Sequence, residues 1–501
     1  MRHVEAPACA PPASAAVLAE QAFARASGAP LVEGNALQLL VDAKENYPAW
    51  LEAIRQARDR VYLESYIVYD DDIGDMFADA LIAKAREGVR VRVVYDWMGN
   101  LMRGSRRYWS RLREAGVEVR CYNPPRLTSP LGWLSREHRK TISIDGRIGV
   151  VAGLCIGRLW AGDPAKQREP WRDTGVLVRG PAVAELDRAF AEIWAATGAP
   201  IPPDELGRAG GVAPQGTVAL RVIATAPSTA GMFRVDQLVA ALARHRLWLA
   251  DAYFVGTPSY VQALCAAAAD GVDVRMLVPG ASDNRILKPL SRVGFRVLLR
   301  AGVRIFEWNG SMMHAKTAVA DCHWARVGST NLNASGWFGN YELDVVVEDE
   351  PFAREMERAY LRDLENATEL VLRQDVPHRT SPVPQQDARR ARGSASRAMA
   401  GAIRIGNTVG AALAGKARPL APVDARISML AGIACLALAL LVVFFPRVLA
   451  FPFAALLGWG AFALCYKGYR EHRRARRRHA RVSATPVAPT PPRGPSLPAS
   501  R

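Results

Sequence analysis

Apolar and polar positions alternate in short blocks along most of this chain. Tyr47, Trp50, Leu51 and Ile54 recur at helical spacing and predict an early amphipathic helix. "RVYLESYIVYDD" then reads as a mostly buried strand, "MFADALIAKAREG" as a helix and "VRVRVVYD" as a second strand. "YWSRLREAG" and "VEVRCYN" repeat the helix–strand step. In the second half the order recurs, through "LVAALARHRLWLADAYFV", "YVQALCAAAADG", "VDVRMLVPG", "LLRAG" and "VRIFEWN". "REGVRVRVV" parallels "ADGVDVRML", and "REAGVEVR" parallels "LRAGVRIF". Strands alternating with helices predict an α/β sandwich with much parallel sheet. An ordered duplication predicts two similar lobes related by a pseudo-two-fold axis. The expected division is an N-terminal extension over 1–34, a first lobe over 35–205 and a second over 206–373.

Beyond that the pattern changes. "RQDVPHRTSPVPQQDARRARGSAS" is polar, basic and Pro-containing, so 374–426 reads as a linker. Within it "RAMAGAIRIGNTVGAALAGKARPL" is weakly amphipathic, suiting either a membrane-surface helix or a plain linker helix. Two nearly uncharged apolar runs, 427–445 and 448–466, flank Pro446-Arg447 and are about the minimum length for a bilayer span. They predict a C-terminal transmembrane hairpin. The tail "YKGYREHRRARRRHAR" is strongly basic, which places it in the cytoplasm by the positive-inside rule. Two spans return the chain to its starting side, so both lobes are expected to be cytoplasmic. Residues 467–501 are expected to form a basic, Pro-rich disordered tail.

Composition sharpens this only slightly. The 501 residues carry a formal net charge of +17, which suits an anionic partner such as an acidic membrane surface or a nucleic acid. Seven scattered cysteines without a CxxC pair argue against a disulfide framework or a zinc site. The N-terminus lacks an apolar core, so no secretory signal is expected. No P-loop, GxGxxG or GxSxG motif occurs.

The chemistry concentrates in one repeated pattern. "EHRKTISIDGRIGVVAGLC" carries His138, Lys140 and Asp145, and "MMHAKTAVADCHWARVGSTN" carries His314, Lys316 and Asp321 at the same spacing. In both copies six residues separate the Asp from a small pair, Ala152-Gly153 in one and Gly328-Ser329 in the other. Alternation puts each His and Lys on one face of a strand. Between two such sites a phosphodiester can be processed without a metal. One imidazole attacks phosphorus, the other manages the proton of the leaving or incoming oxygen, and the lysines stabilise the phosphate oxygens. Ser329 and Asn331 are candidate neutral donors to phosphate. Asp173 in "PWRDTGVLV" and Glu342 in "NYELDVVVE" are candidate carboxylates for the second ring nitrogens. Asp145 and Asp321 follow their lysines at an odd offset and would face away, so they are expected to hold each lobe through hydrogen bonds. Asp96, Trp97 and Gly99 either border the site or make a turn, Glu64 either bonds within the site or meets solvent, and Leu131, Trp133 and Leu134 lie in a longer loop that suits either a lipid interface or ordinary packing.

These residues resemble the phospholipase D superfamily, whose signature is HxKxxxxD in two copies and counts His, Lys and Asp of each motif as its catalytic set. The resemblance covers about Leu37 to Leu370. Within the superfamily "ESYIVYDDDIGDMFADAL", "GVRVRVVYDWMGN" and "PWRDTGVLVRGPAV" look like bacterial cardiolipin synthases, of the type without N-terminal membrane helices. The resemblance implies a metal-independent enzyme of the bacterial inner membrane, without cofactor. It implies anionic phospholipids as partners, phosphatidylglycerol and cardiolipin above all, and no obligatory nucleic acid. It also implies His138 as nucleophile and His314 as acid and base. Hydrolysis to phosphatidic acid uses the same residues, and a nuclease of the same superfamily is the more distant alternative. The family's first motif ends in Gly-Gly-x-Asn, whereas "AGLC" puts Cys155 at that Asn, and Arg158 stands where an acidic residue is frequent.

Overall fold

The computed structural model describes residues 15–125, 135–206, 212–281 and 287–372, with scattered helical residues between 436 and 469. Leu131, Trp133, Leu134, the basic linker and most of the expected hairpin lie outside them. Among the described residues no helix is long and apolar enough to cross a membrane.

The first half contributes β1 (Val32–Val41), β2 (Arg60–Ser65), β3 (Arg90–Asp96), β4 (Glu118–Tyr122), β5 (Lys140–Ile144), β6 (Ile148–Ala152) and β7 (Thr174–Arg179). They lie side by side in the order β4-β3-β2-β5-β6-β7-β1. The second half contributes β8 (Val218–Thr225), β9 (Arg246–Ala250), β10 (Asp273–Pro279), β11 (Arg304–Trp308), β12 (Thr317–Ala320), β13 (Trp324–Gly328) and β14 (Glu342–Glu348). Their order is β11-β10-β9-β12-β13-β14-β8, the same arrangement, with β15 (Ala367–Leu370) added beside β11. The halves join where β1 and β8 pair antiparallel, Val32 opposite Leu220 and Asn35 opposite Val218.

Among the described strands, parallel ladders join only β2-β3-β4 and β9-β10-β11. The other ladders between them are antiparallel. Less of the sheet is parallel than the helix–strand alternation predicts. Each His-x-Lys strand returns through a tight turn, which only antiparallel neighbours accommodate.

Among the described residues ten α-helices cover the strands. In the first half α2 (Asp42–Arg55), α3 (Asp72–Arg86) and α4 (Arg106–Glu114) bury one sheet face over a core of Trp50, Ile54, Phe77 and Leu112. In the second, α7 (Gly231–Leu242), α8 (Pro258–Ala269) and α9 (Leu287–Arg300) do the same over Met232, Leu264 and Leu298. Helix α1 (Ala15–Ser27), inside the expected N-terminal extension, packs with α7 through Phe23 and Ala26. The one-turn α5 is Arg158–Ala161. The inner faces of the two halves meet in a shared core, where Val151, Val176 and Val178 join Val327, Val345 and Met313. Helices α6 (Val183–Thr197) and α10 (Glu350–Glu365) close that layer through Leu186 and Met356. Strands buried on both faces explain the near-continuous apolar runs.

Candidate functional site

Both histidines stand just ahead of their strands, His138 two residues before β5 and His314 three before β12, where the halves meet. The backbone sets their positions first. Glu137 bridges to Tyr341, and His138 N–H donates to the Tyr341 carbonyl at 2.9 Å. Arg172 bridges to Met313, and His314 N–H donates to the Arg172 carbonyl at 2.7 Å. Each histidine is therefore tied to the segment of the opposite half that carries a carboxylate one residue further on. The side chains complete the exchange: His138 Nδ1 lies 2.9 Å from Glu342 Oε2, and His314 Nδ1 lies 2.6 Å from Asp173 Oδ2. Similar offsets in the sequence, 35 residues from His138 to Asp173 and 28 from His314 to Glu342, are compatible with pairing inside one lobe or across lobes. The fold crosses them, so neither half holds a complete site.

The two carboxylates are held differently. Asp173 Oδ2 also accepts from Trp160 Nε1 at 3.0 Å, and Oδ1 accepts from Thr174 N–H at 2.8 Å. A Cβ at Gly153 would stand 2.1 Å from Asp173 Oδ1, so this position of the first motif has no room for a side chain. Its second-motif counterpart is Ser329, whose hydroxyl donates to Glu342 Oε2 at 2.6 Å. Asn340 donates to Glu342 Oε1 at 3.1 Å. Ser329 is fully buried and turned to the carboxylate. That corrects its expected place as a phosphate donor. Asn331 does line the cavity, and its Oδ1 has no hydrogen-bond partner among the described residues.

Lys140 and Lys316 are buried, and each ammonium donates to the carbonyl of its own motif's histidine. Lys316 Nζ also lies 2.8 Å from His314 Nδ1 and 3.2 Å from Nε2. Burial and this ammonium push His314 down to about 4, against the pull of Asp173. Burial, then Lys140 and the other cations, hold His138 well below its ordinary value. Burial likewise lowers Lys316 to about 8 and raises Glu342 to about 7. Burial would raise Asp173, but Lys316, His314 and the Thr174 amide outweigh it and keep the carboxyl low.

Asp145 and Asp321 belong elsewhere. Each follows its Lys by five residues, about 16 Å of extended chain, and occupies a left-handed turn at φ 53° and 50°. Asp145 accepts the backbone N–H groups of Arg58, Asp59 and Arg60 at 2.8–2.9 Å, and Asp321 those of Arg244, His245 and Arg246 at 2.7–2.9 Å. They pin the starts of β2 and β9 and do not line the histidine cavity, which takes them out of the catalytic set the motif implies. Asp96 accepts from Gly99 N–H and Glu137 N–H, bracing the residue before His138. Glu64 neither reaches the site nor meets solvent: it is buried and accepts from Thr141. Arg139, between His138 and Lys140, points to the opposite face, where it donates to the Glu342 and Ala189 carbonyls. Alternation along the strand foreshadows that placement. Trp160 and Asn340 had no such signal, beyond Asn340 standing two residues before Glu342.

Between the histidines opens a cavity of about 600 Å³. Tyr66 packs edge-on against His138 at 4.8 Å between ring centroids, and Trp171 and Trp160 flank His314 at 5.4 and 5.5 Å. Cys155 lines the wall as a buried thiol, its pKa raised by burial, and is packed rather than reactive. Two imidazoles backed by carboxylates, two ammoniums and apolar walls suit attack on a phosphodiester carrying an apolar body.

Comparison with known proteins agrees. A family model described as cardiolipin synthase, PLD-like domain, matches residues 50–194 and 239–364. The cardiolipin synthase of Alkalihalophilus pseudofirmus is 35% identical over 347 residues, 68% of this chain and 68% of that one. Cardiolipin synthase A of Pseudomonas fluorescens is 33% identical over 367 residues, 71% of this chain and 74% of that one. The crystal structure of phosphatidylserine synthase from Haemophilus influenzae superposes with a TM-score of 0.55 at 14% identity, covering 70% of this chain and 92% of the other, and shares the fold. With both halves matched and two-thirds of each relative spanned, this chain belongs to the cardiolipin synthase family of phospholipase D-like proteins.

Proposed function

We propose that the cavity makes cardiolipin by two successive phosphatidyl transfers. The supporting observation is the crossed pairing of His138 with Glu342 and His314 with Asp173 around one cavity. With Glu342 ionised and accepting the Nδ1 proton, the Nε2 lone pair of His138 is free to attack the phosphorus of phosphatidylglycerol. The N–P bond forms as the P–O bond to glycerol breaks, and His314, protonated on both nitrogens once the anionic phosphate offsets the burial and the lysine charge that lower its pKa, gives its Nε2 proton to the departing oxygen. The hydroxyl of a second phosphatidylglycerol then loses its proton to His314 and attacks phosphorus, the O–P bond forming as the N–P bond breaks. Lys140 and Lys316 balance the charge on the non-bridging oxygens in both steps. Asn331 offers a neutral donor on the second half. Cys155, a weaker donor, stands at the matching place on the first.

The C-terminal apolar runs serve as the membrane hairpin in this reading. Leu436, Phe451 and Phe462 are on helix and 61–70% exposed, which suits a surface covered by lipid. The enzyme then sits in the bacterial inner membrane with its lobes in the cytoplasm, drawing on anionic phospholipids.

Purified protein in mixed micelles with headgroup-labelled phosphatidylglycerol should yield cardiolipin and free glycerol. Phosphatidic acid with glycerol and no cardiolipin would mean that water takes the phosphatidyl group instead. His138→Ala and His314→Ala should each abolish turnover while the thermal transition stays near that of the parent protein. Because ammoniums supply the positive charge, EDTA should leave the rate intact; a loss restored by a divalent ion would refute the scheme.

A further inference from the structure

The cavity is symmetric in its histidines and asymmetric in its rim. Arg103 and Arg136 line it from the first half, and among the described residues the other ionisable groups of its wall are the two histidines, Cys155 and three tyrosines. The facing wall from the second half is neutral, with Val255, Asn333, Ala334 and Ser335. Neither arginine has a carboxylate partner within 4 Å among the described residues, although arginine–carboxylate pairs are frequent elsewhere in the molecule. Both are steered by neutral acceptors instead. Arg103 Nε donates to the Tyr69 hydroxyl at 3.1 Å and Nη1 to the Gly99 carbonyl at 3.0 Å, while Arg136 Nη1 donates to the Tyr66 hydroxyl at 2.9 Å. A guanidinium has five N–H donors, so each retains at least three for an anion.

The proposed chemistry brings in such an anion. Two lysines serve the phosphate that reacts. The acceptor phosphatidylglycerol carries a second phosphodiester that enters the same cavity and leaves unchanged. Two phosphates near each other in a partly desolvated space repel unless the second has cations of its own. We infer that Arg103 and Arg136 bind the unreacting phosphate of the acceptor lipid, and so orient its free hydroxyl toward the phosphohistidine. This rests on the reading of the site as a cardiolipin synthase. It divides the cavity into a reacting-phosphate end at the lysines and an acceptor end at the first-half rim, and it selects a phosphate-bearing alcohol over water or a neutral alcohol.

The test is competition between acceptors. Full-length protein in phosphatidylglycerol micelles receives ethanol as an uncharged competitor, and cardiolipin and phosphatidylethanol are both quantified. Arg103→Gln and Arg136→Gln should each lower the cardiolipin-to-phosphatidylethanol ratio about 10-fold, the scale of a lost charge-assisted hydrogen bond. Arg103→Lys should recover part of the ratio, since it keeps the charge without the planar fork. The ratio cancels any general effect of Arg136, which also lies near His138. Glycerol 3-phosphate added as a soluble acceptor separates a lipid headgroup from a free phosphate ester. An Arg103-dependent phosphatidyl product from it means that the phosphate alone is read; a response confined to cardiolipin means that the lipid body is needed too. A ratio unchanged in both glutamine variants, or both products falling together, overturns the acceptor site. Parent protein that forms phosphatidylethanol but never cardiolipin overturns the synthase reading and the acceptor site with it.

Discussion

Glu342 and Asp173 perform matching tasks with side chains of different length, and their surroundings push them apart. Burial raises Glu342 to about 7, with Lys140, Ser329 and Asn340 pulling the other way. Asp173 stays low because Lys316, His314 and the Thr174 amide outweigh its burial. The consequence has a definite sign. As pH falls through about 7, Glu342 gains a proton and donates it to His138 Nδ1. The imidazole proton then moves to Nε2, and the nucleophilic lone pair is lost. As pH rises through about 8, Lys316 loses the charge that steadies the phosphate. With His314 protonated in the complex with the anionic substrate, kcat should therefore show a narrow bell, its acid limb set by Glu342 and its alkaline limb by Lys316. Glu342→Gln should flatten the acid limb at a rate about 10²-fold lower, as expected when a carboxylate that orients a histidine is replaced. Lys316→Arg should carry the alkaline limb upward, because a guanidinium does not titrate in this range. A Glu342→Gln profile that keeps its acid limb would assign that limb to another group.

At the scale of elements, the motif separates into two functions. Each His lines the cavity with its Lys buried behind it, whereas Asp closes the turn at the far end of the strand. Burial alone would raise Asp321, but three backbone amides outweigh it and hold the carboxyl below its ordinary value. Asp145→Ala or Asp321→Ala leaves three amides at the start of β2 or β9 without their acceptor and puts alanine at positive φ. Each should cost about 2–4 kcal/mol, read as a lower denaturant midpoint, with little change in kcat of the folded fraction. Asn, which tolerates this backbone conformation, should cost less. The odd offset from Lys to Asp made this legible in the sequence, because alternation dictates the face. The duplication was legible for a similar reason: helix and strand blocks recur in one order. Strand direction was not, since side-chain alternation is the same in parallel and antiparallel pairs. Nor was the crossing of His138 to Glu342, because pairing partners follow from how two halves dock. Ser329 was misplaced because a buried hydroxyl and a phosphate-facing hydroxyl look alike in a sequence.

At the scale of the whole molecule, the described lobes carry the histidine cavity, and the long apolar runs follow beyond residue 426 in the sequence. Two functions with separate supports should separate experimentally. A charged lobe alone would meet an anionic bilayer through screened Coulomb forces, which weaken over a Debye length of about 8 Å at physiological salt. An apolar hairpin would hold through transfer free energy, which salt does not weaken. Full-length protein should stay with the membrane pellet through high salt and alkaline carbonate. A chain ended after Ala391, where the compact catalytic unit also ends, should wash into the supernatant. That shorter chain should still turn over short-chain phosphatidylglycerol in detergent, since every residue of the crossed histidine site lies before its end. Its rate on vesicles should fall, because the substrate surface is no longer at hand. Release of the full-length protein by salt alone would show that the basic surface, rather than the hairpin, is the anchor.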